Sequence, residues 1–265
     1  MYSSAQLAQK YFNYYLHASN GKGHGMHSPF VFDFIRNVLN NKSDYQSPIE
    51  IEQLRKQLLS DKRIIEIEDF GAGSRTNSSK QRSVAQIAKS ALKSKKLAQV
   101  LFRLAKHYQP QSIVELGTSL GITTAYLSKA NPNSAITTIE GCKQIAALAK
   151  ENFQKLDCSN IQQLIGDFED LLPAAIYLLQ SIDLAYIDGN HRYQPTINYF
   201  HQFLPKSHNQ TILVFDDIHW SVEMEKAWEE IKSHPSVQYT IDIFFLGFVF
   251  FREEFKVKQN FVIRF

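Results

Sequence analysis

From Gln111 to Phe215 the sequence alternates short apolar runs with longer helix-like ones, and this alternation constrains the fold more than any other feature. Ser112–Leu116, Ala135–Glu140, Ile161–Ile165, Ile182–Ile187 and Thr211–Phe215 have the length and composition of strands. Between them, Gly121–Ala130, Lys143–Leu156, Phe168–Gln180 and Tyr193–Phe203 read as helices. Strands that alternate with helices imply βαβ units and a buried parallel sheet. A further helix is expected at Ser221–Ser233. Two β-rich runs follow, Gln238–Phe245 and Phe248–Arg252, separated by Gly247, and then a strand-like piece, Asn260–Phe265. The predicted class is α/β: a doubly wound, mainly parallel seven-stranded sheet with an antiparallel C-terminal hairpin.

The residues before Gln111 read as mostly helical. Leu7, Tyr11, Tyr14 and Tyr15 recur at helical spacing. Ser28 before Pro29 is a cap-then-proline start signal for a second helix. A third covers Ile49 to Leu59. Arg63 to Asp69 alternates apolar and acidic residues and reads as a short strand running into the glycine turn Gly71-Ala72-Gly73. Val84, Ile87, Ala88, Ala91 and Leu92 form one apolar face, and Leu97, Val100, Leu101, Leu104 and Tyr108 another. The expected division is a helical N-terminal cap over residues 1–82 and the strand–helix domain over 83–265. The cap should cover the carboxyl edge of the sheet or make a homodimer contact.

Composition excludes several classes. Two cysteines, Cys142 and Cys158, with no CxxC pair, argue against a disulfide scaffold and a cysteine zinc site. The first twenty residues lack the basic start and continuous apolar core of a signal peptide. No run of about 18 apolar residues suggests a membrane span, so a cytoplasmic setting is expected. The net charge of +3 hides an asymmetry. Phe70 to Val114 holds no acid and nine positive residues: Arg75, Lys80, Arg82, Lys89, Lys93, Lys95, Lys96, Arg103 and Lys106. The remainder is therefore net acidic. This stretch reads as a solvated basic face or as a contact surface for an anionic partner.

The strongest local signal is the run from Ile113 to Gly121, IVELGTSLG, in which a buried strand enters a glycine turn that opens a helix. Gly117 permits a tight bend and a close ligand approach. Such turns lie at the carboxyl edge of the sheet, where open α/β folds bind ligands. The second strand ends at Glu140, an acid placed to accept the ribose hydroxyls of an adenosine. The turn lacks the GxGxxG spacing of dinucleotide sites, and no phosphate-binding GxxxxGK[ST] loop is present. Glu115 at the turn suits a cationic ligand better than a pyrophosphate. Glu68 to Arg75, EDFGAGSR, imitates this pattern but leads into a basic helical stretch, so it is expected to be a loop.

Val114 to Gly121, Thr138-Ile139-Glu140, Ile187-Asp188-Gly189-Asn190-His191 and Val214-Phe215-Asp216-Asp217 resemble a known family. It is the catechol and caffeoyl-CoA O-methyltransferase group, with the related small-molecule O-methyltransferases that carry an IDGxHxY motif. These are class I S-adenosylmethionine-dependent methyltransferases of Rossmann-like fold. The resemblance covers residues 85 to 252. It implies S-adenosyl-L-methionine bound by Glu115, Gly117, Thr118, Ser119, Gly121, Glu140, Asp167 and Asp188. It also implies a divalent ion, Mg2+ or another, on Asp188, Asp216 and Asp217, although Asn is frequent in the family at the last of these. His191 is implied near the substrate hydroxyl, where an imidazole can take a proton at neutral pH. Helix capping is the alternative for Asp167, and capping or adenosine binding for Asp188 and Asp216. His24 and His27, in the glycine-rich loop before Pro29, face the acceptor or belong to a plain connector. The implied acceptor is a small hydroxylated molecule. The rival readings are an N-methyltransferase, an RNA-directed methyltransferase using the basic stretch, and a non-catalytic adenosine-binding module.

Overall fold

The structure is a computed structural model and describes residues 1–41, 48–67 and 81–265. The N-terminal part contains α1 (Ser4–His17), α2 (Pro29–Phe34), which continues as a π-helical turn over Ile35–Leu39, and α3 (Ile49–Ser60). Next come β1 (Ile64–Glu66), β2 (Gln81–Ser83), α4 (Val84–Ala91) and α5 (Lys95–Tyr108). The alternating part runs β3 (Ser112–Leu116), α6 (Ile122–Ala130), β4 (Ala135–Glu140), α7 (Lys143–Lys155), β5 (Ile161–Ile165) and α8 (Phe168–Tyr177). It continues with β6 (Leu184–Ile187), α9 (Tyr193–Phe203), β7 (Ile212–Asp216) and α10 (Val222–Ser233). The last strands are β8 (Tyr239–Asp242), β9 (Leu246–Phe250) and β10 (Gln259–Val262). The first three parallel strands have the bounds that their apolar runs predict.

The chain forms two compact units, and one of them is discontinuous: Met1–Asn40 with Ile176–Phe265, and Asn41–Ala175. In the continuous unit β3, β4 and β5 pair in parallel and in that order. Val114, Leu116 and Ile139 from these strands are buried, as are Leu101, Tyr126 and Ala149 from the helices. The strand predicted near Arg63 is β1, and its partner is β2, which pairs with it antiparallel. Ser83 then caps α4 in a reciprocal box with Gln86. The turn at Gly71-Ala72-Gly73, like Arg75 and Lys80, lies outside the described residues. Arg82 and Arg103 of the basic stretch are buried rather than solvated, and burial pulls the Arg103 guanidinium down to about 10.

In the discontinuous unit β6 and β7 are parallel, and β9 lies antiparallel to both β7 and β8. One expectation needs correction: β10 pairs in parallel with β8, so the described residues carry eight of these strands, not seven. Gly247 is a second correction. It does not divide the hairpin but sits inside β9, opposite both Phe215 and Asp242. The turn falls at Ile243–Phe245, with Phe244 in the left-handed region at φ 73. The reason is packing: a Cβ on Gly247 would lie 2.7 Å from the indole of buried Trp228. The N-terminal helices dress this hairpin. Tyr11 and Tyr14 of α1 pack on Phe244, and Phe34 of α2 packs on Phe248 and Phe250. The β8–β9 turn lies at the carboxyl end of β7, so α1 covers that edge of its own unit. Among the described residues no helix is long and apolar enough to cross a membrane.

Candidate active site

The glycine turn has the backbone its sequence requires. Gly117 (φ 96), Ser119 (φ 47) and Gly121 (φ 78) are all left-handed. A Cβ at Gly121 would also stand 2.5 Å from the ring of Phe153, which explains the second glycine. The amides of Gly117 and Thr118 bond to Ile139 O at 3.0 and 3.3 Å, closing the turn onto the end of β4. Glu140 is half-buried there, and its carboxylate accepts the amides of Ser119 at 2.9 Å and Cys142 at 3.0 Å. It is a double acceptor at a strand end beside the glycine turn, which fits an adenosine ribose. Glu115 behaves differently. It is fully buried, and its Oε2 accepts from Thr124 and from Thr138 at 2.6 Å. Thr138 also meets Thr118 at 2.6 Å. Glu115 thus ties β3, β4 and α6 together beneath the turn. Asp167 accepts the amide of Glu169 at 2.7 Å, the bond of a helix cap at the start of α8.

The second cluster belongs to the discontinuous unit. The register pairs Ile187 with Phe215, and one step further places Asp188 beside Asp216. Neighbouring strands lie about 4.8 Å apart, so two carboxylates meet at one edge. Asp188, His191 and Asp216 each bring a donor atom within 4.8 Å of the others. His191 Nε2 stands 3.4 Å from Asp188 Oδ1. Asn190 (φ 65) and His191 (φ 40) both occupy the left-handed region, which costs energy for residues with side chains and is typical of functional turns. Asp217 is not in this group. Its backbone is left-handed at φ 52, its amide bonds to Phe245 O at 2.7 Å, and it shapes the turn after β7. His24 and His27 lie exposed in their loop.

Residues 114–218 match the family Methyltransf_24, described as a methyltransferase domain. The matched segment is similar to a methyltransferase domain. It contains the glycine turn, Glu140, Asp188, His191 and Asp216. A catechol O-methyltransferase from Niastella koreensis is 30% identical over 138 residues, which span 51% of this chain and 60% of the relative. The chain thus covers about three fifths of that relative's length. An O-methyltransferase from Bacillus cereus, solved in complex with SAH, covers 83% of this chain and 97% of its own, with TM-score 0.56 and 17% identity. The O-methyltransferase TomG from Streptomyces achromogenes, solved in complex with SAM, covers 62% and 82%, with TM-score 0.54 and 18% identity. These likenesses establish the Rossmann-like methyltransferase fold.

Three functional neighbours escaped sequence reasoning. Buried Tyr186 donates to Asp188 Oδ2 at 2.9 Å and so orients that carboxylate. In the sequence it is one residue inside the strand run Ile182–Ile187, with nothing to mark it. The ring of Trp220 packs on His191, centroids 5.5 Å apart. His219 bridges Glu225 and Asp242 at 3.1 and 2.7 Å. Asp242 lies 23 residues further along the chain, a separation at which no local pattern is visible.

Proposed function

We propose that this chain is an S-adenosylmethionine-dependent O-methyltransferase that uses a divalent cation and acts on a small hydroxylated acceptor. The observation that carries the reading is the convergence of Asp188, His191 and Asp216 within 4.8 Å after two parallel strands of a methyltransferase domain. Two carboxylates and an imidazole suit a first-row divalent ion such as Mn2+ as well as Mg2+. Two acids at neighbouring strand ends, one of them fully buried, repel each other unless a cation or proton lies between them.

When bound, S-adenosylmethionine supplies an electrophilic methyl group, and a divalent cation lowers the pKa of an acceptor hydroxyl. The residues do the rest. Gly117 lets the cofactor approach the backbone of the turn, and Glu140 accepts its ribose hydroxyls. Asp188 and Asp216 hold the cation, and Tyr186 fixes the Asp188 carboxylate. His191 takes the proton from the acceptor hydroxyl, with Asp188 orienting its ring. Methyl transfer then depends mainly on alignment, so positioning supplies much of the rate.

The test is release of S-adenosylhomocysteine from S-adenosylmethionine with a panel of catechols and other hydroxylated acceptors, with and without Mg2+ or Mn2+. Metal-dependent release is expected. Turnover that persists in a chelator removes the cation from the scheme. Cofactor binding without turnover on any acceptor favours a non-catalytic binding module.

A further inference from the structure

The turn after β7 carries Asp216 at one end and Trp220 at the other, and a network outside the reacting groups holds it. Both ring nitrogens of His219 face carboxylates: Nδ1 meets Glu225 Oε1 at 3.1 Å and Nε2 meets Asp242 Oδ2 at 2.7 Å. Its ring also stacks on Phe244, centroids 5.1 Å apart. Asp242 accepts the amide of Phe244 at 2.7 Å through its other oxygen. Glu225, on α10, collects two further donors from the N-terminal segment. The Tyr2 hydroxyl donates to it at 2.6 Å, and Lys10 Nζ donates to both of its oxygens at 2.9 and 3.0 Å. The Tyr2 amide then donates to the carbonyl of Trp220 itself at 3.1 Å. Also from α1, Tyr11 and Tyr14 pack on the same Phe244 that stacks with His219. The Tyr14 hydroxyl reaches Ile263 O, beyond β10.

We propose that His219 and Glu225 are positioning residues for the acceptor end of the reaction. They fix Trp220 against His191, and the N-terminal segment is part of this fixture through Tyr2 and, from α1, Lys10. The proposal rests on the reading of Asp188, His191 and Asp216 as the acceptor end. The chemistry favours a rigid fixture. A carboxylate only accepts, so His219 donates from both nitrogens, and its bonds to Glu225 and Asp242 are charge-assisted. One cationic ring thereby joins α10, the β8–β9 turn and the residue next to Trp220. A tether with no part in the reaction would change stability alone. A fixture for Trp220 also changes the acceptor parameters and the surroundings of the indole.

The test uses the full chain carrying Glu225→Gln, Lys10→Met or His219→Asn. His208→Asn serves as the control, because it breaks a similar pair, His208 Nε2 to Asp183 Oδ1 at 2.8 Å, just before β7 and β6. The chain has two tryptophans, so Trp220 emission is read in a Trp228→Phe background, or against buried Trp228 as a constant signal. In the first three variants Trp220 emission shifts to the red and acrylamide quenches it more. Their acceptor kcat/KM falls about 10–100-fold, the usual loss when a residue that orients a site group is removed. Affinity for S-adenosylmethionine is unchanged, and His208→Asn behaves as wild type. If His219→Asn fails to fold, Glu225→Gln and Lys10→Met carry the test. Unchanged emission and acceptor parameters overturn the proposal, as do equal losses in the control. If no acceptor is turned over, the proposed function fails by itself, and the emission readout still decides whether the network holds Trp220.

Discussion

Gly247 faces the indole of Trp228 across a gap with no room for a methyl group. Gly247→Ala is expected to destabilise the protein by about 1–3 kcal/mol, the range for overpacking a core. Denaturant unfolding checks this: the midpoint falls while the slope stays the same. An unchanged midpoint would mean that the indole moves aside at little cost. This glycine also marks a limit of sequence reading. A glycine that relieves a close approach looks the same in sequence as one that serves a turn, and the left-handed turn residue here is Phe244, a type that rarely adopts that conformation. Gly117 and Gly121 were legible because a buried strand preceded them and a helix followed. Glu115 was legible as important from its position at the turn, and its burial and threonine partners, which the sequence did not reveal, make it a brace between strands and helix.

The bounds of β3, β4 and β5 were legible because each is a short run anchored by Ile, Val, Leu or Thr between two helix-like stretches, although only β3 is buried almost throughout. The docking of α1 was not, since helical periodicity identifies a buried face without naming what covers it. His219 gives that docking a pH dependence. Burial works against its charged form, but the carboxylates of Asp242 and Glu225 outweigh it and raise the imidazole above its ordinary range. Burial likewise pushes the Glu225 carboxyl up, but the bonds from Tyr2, Lys10 and His219 outweigh it and hold the group low. A raised histidine stabilises fully below its unfolded value of about 6.5, and that contribution fades as pH rises through the folded value. A lowered carboxyl stabilises above its unfolded value of about 4.3 and fades as pH falls through the folded one. The stability difference between wild type and His219→Asn is therefore expected to peak at roughly pH 5–6.5 and to shrink in alkali. Thermal unfolding of both proteins across that range checks it. A difference that is flat, or that grows with pH, would mean that the histidine is neutral in the folded protein.

At the scale of the whole molecule, the parts assigned to cofactor and cation fall in different compact units. The glycine turn and Glu140 lie in Asn41–Ala175, whereas Asp188, His191 and Asp216 lie in Ile176–Phe265. The sequence offered both sets, because each follows the end of an apolar strand. It could not show that Asp216 rather than Asp217 joins Asp188 and His191, since adjacent residues of one type differ only in the backbone turn that separates them. This distribution predicts that the two binding functions come apart under mutation. Asp216→Ala should abolish metal-dependent turnover and weaken Mn2+ binding, read by calorimetry or by the paramagnetic signal of the ion, while S-adenosylmethionine affinity is kept. Glu140→Ala should do the reverse: Mn2+ binding is kept, and cofactor affinity falls by about 1–3 kcal/mol, as expected when polar partners lose a charged acceptor. His191→Ala separates two roles within the cluster. As the base it lowers turnover by about 10²–10⁴-fold and flattens the acid limb of the pH profile with Mn2+ affinity intact. As a ligand it loses Mn2+ affinity together with turnover. If Asp216→Ala weakens the cofactor as much as the metal, the separation is wrong and the acids serve the adenosine instead.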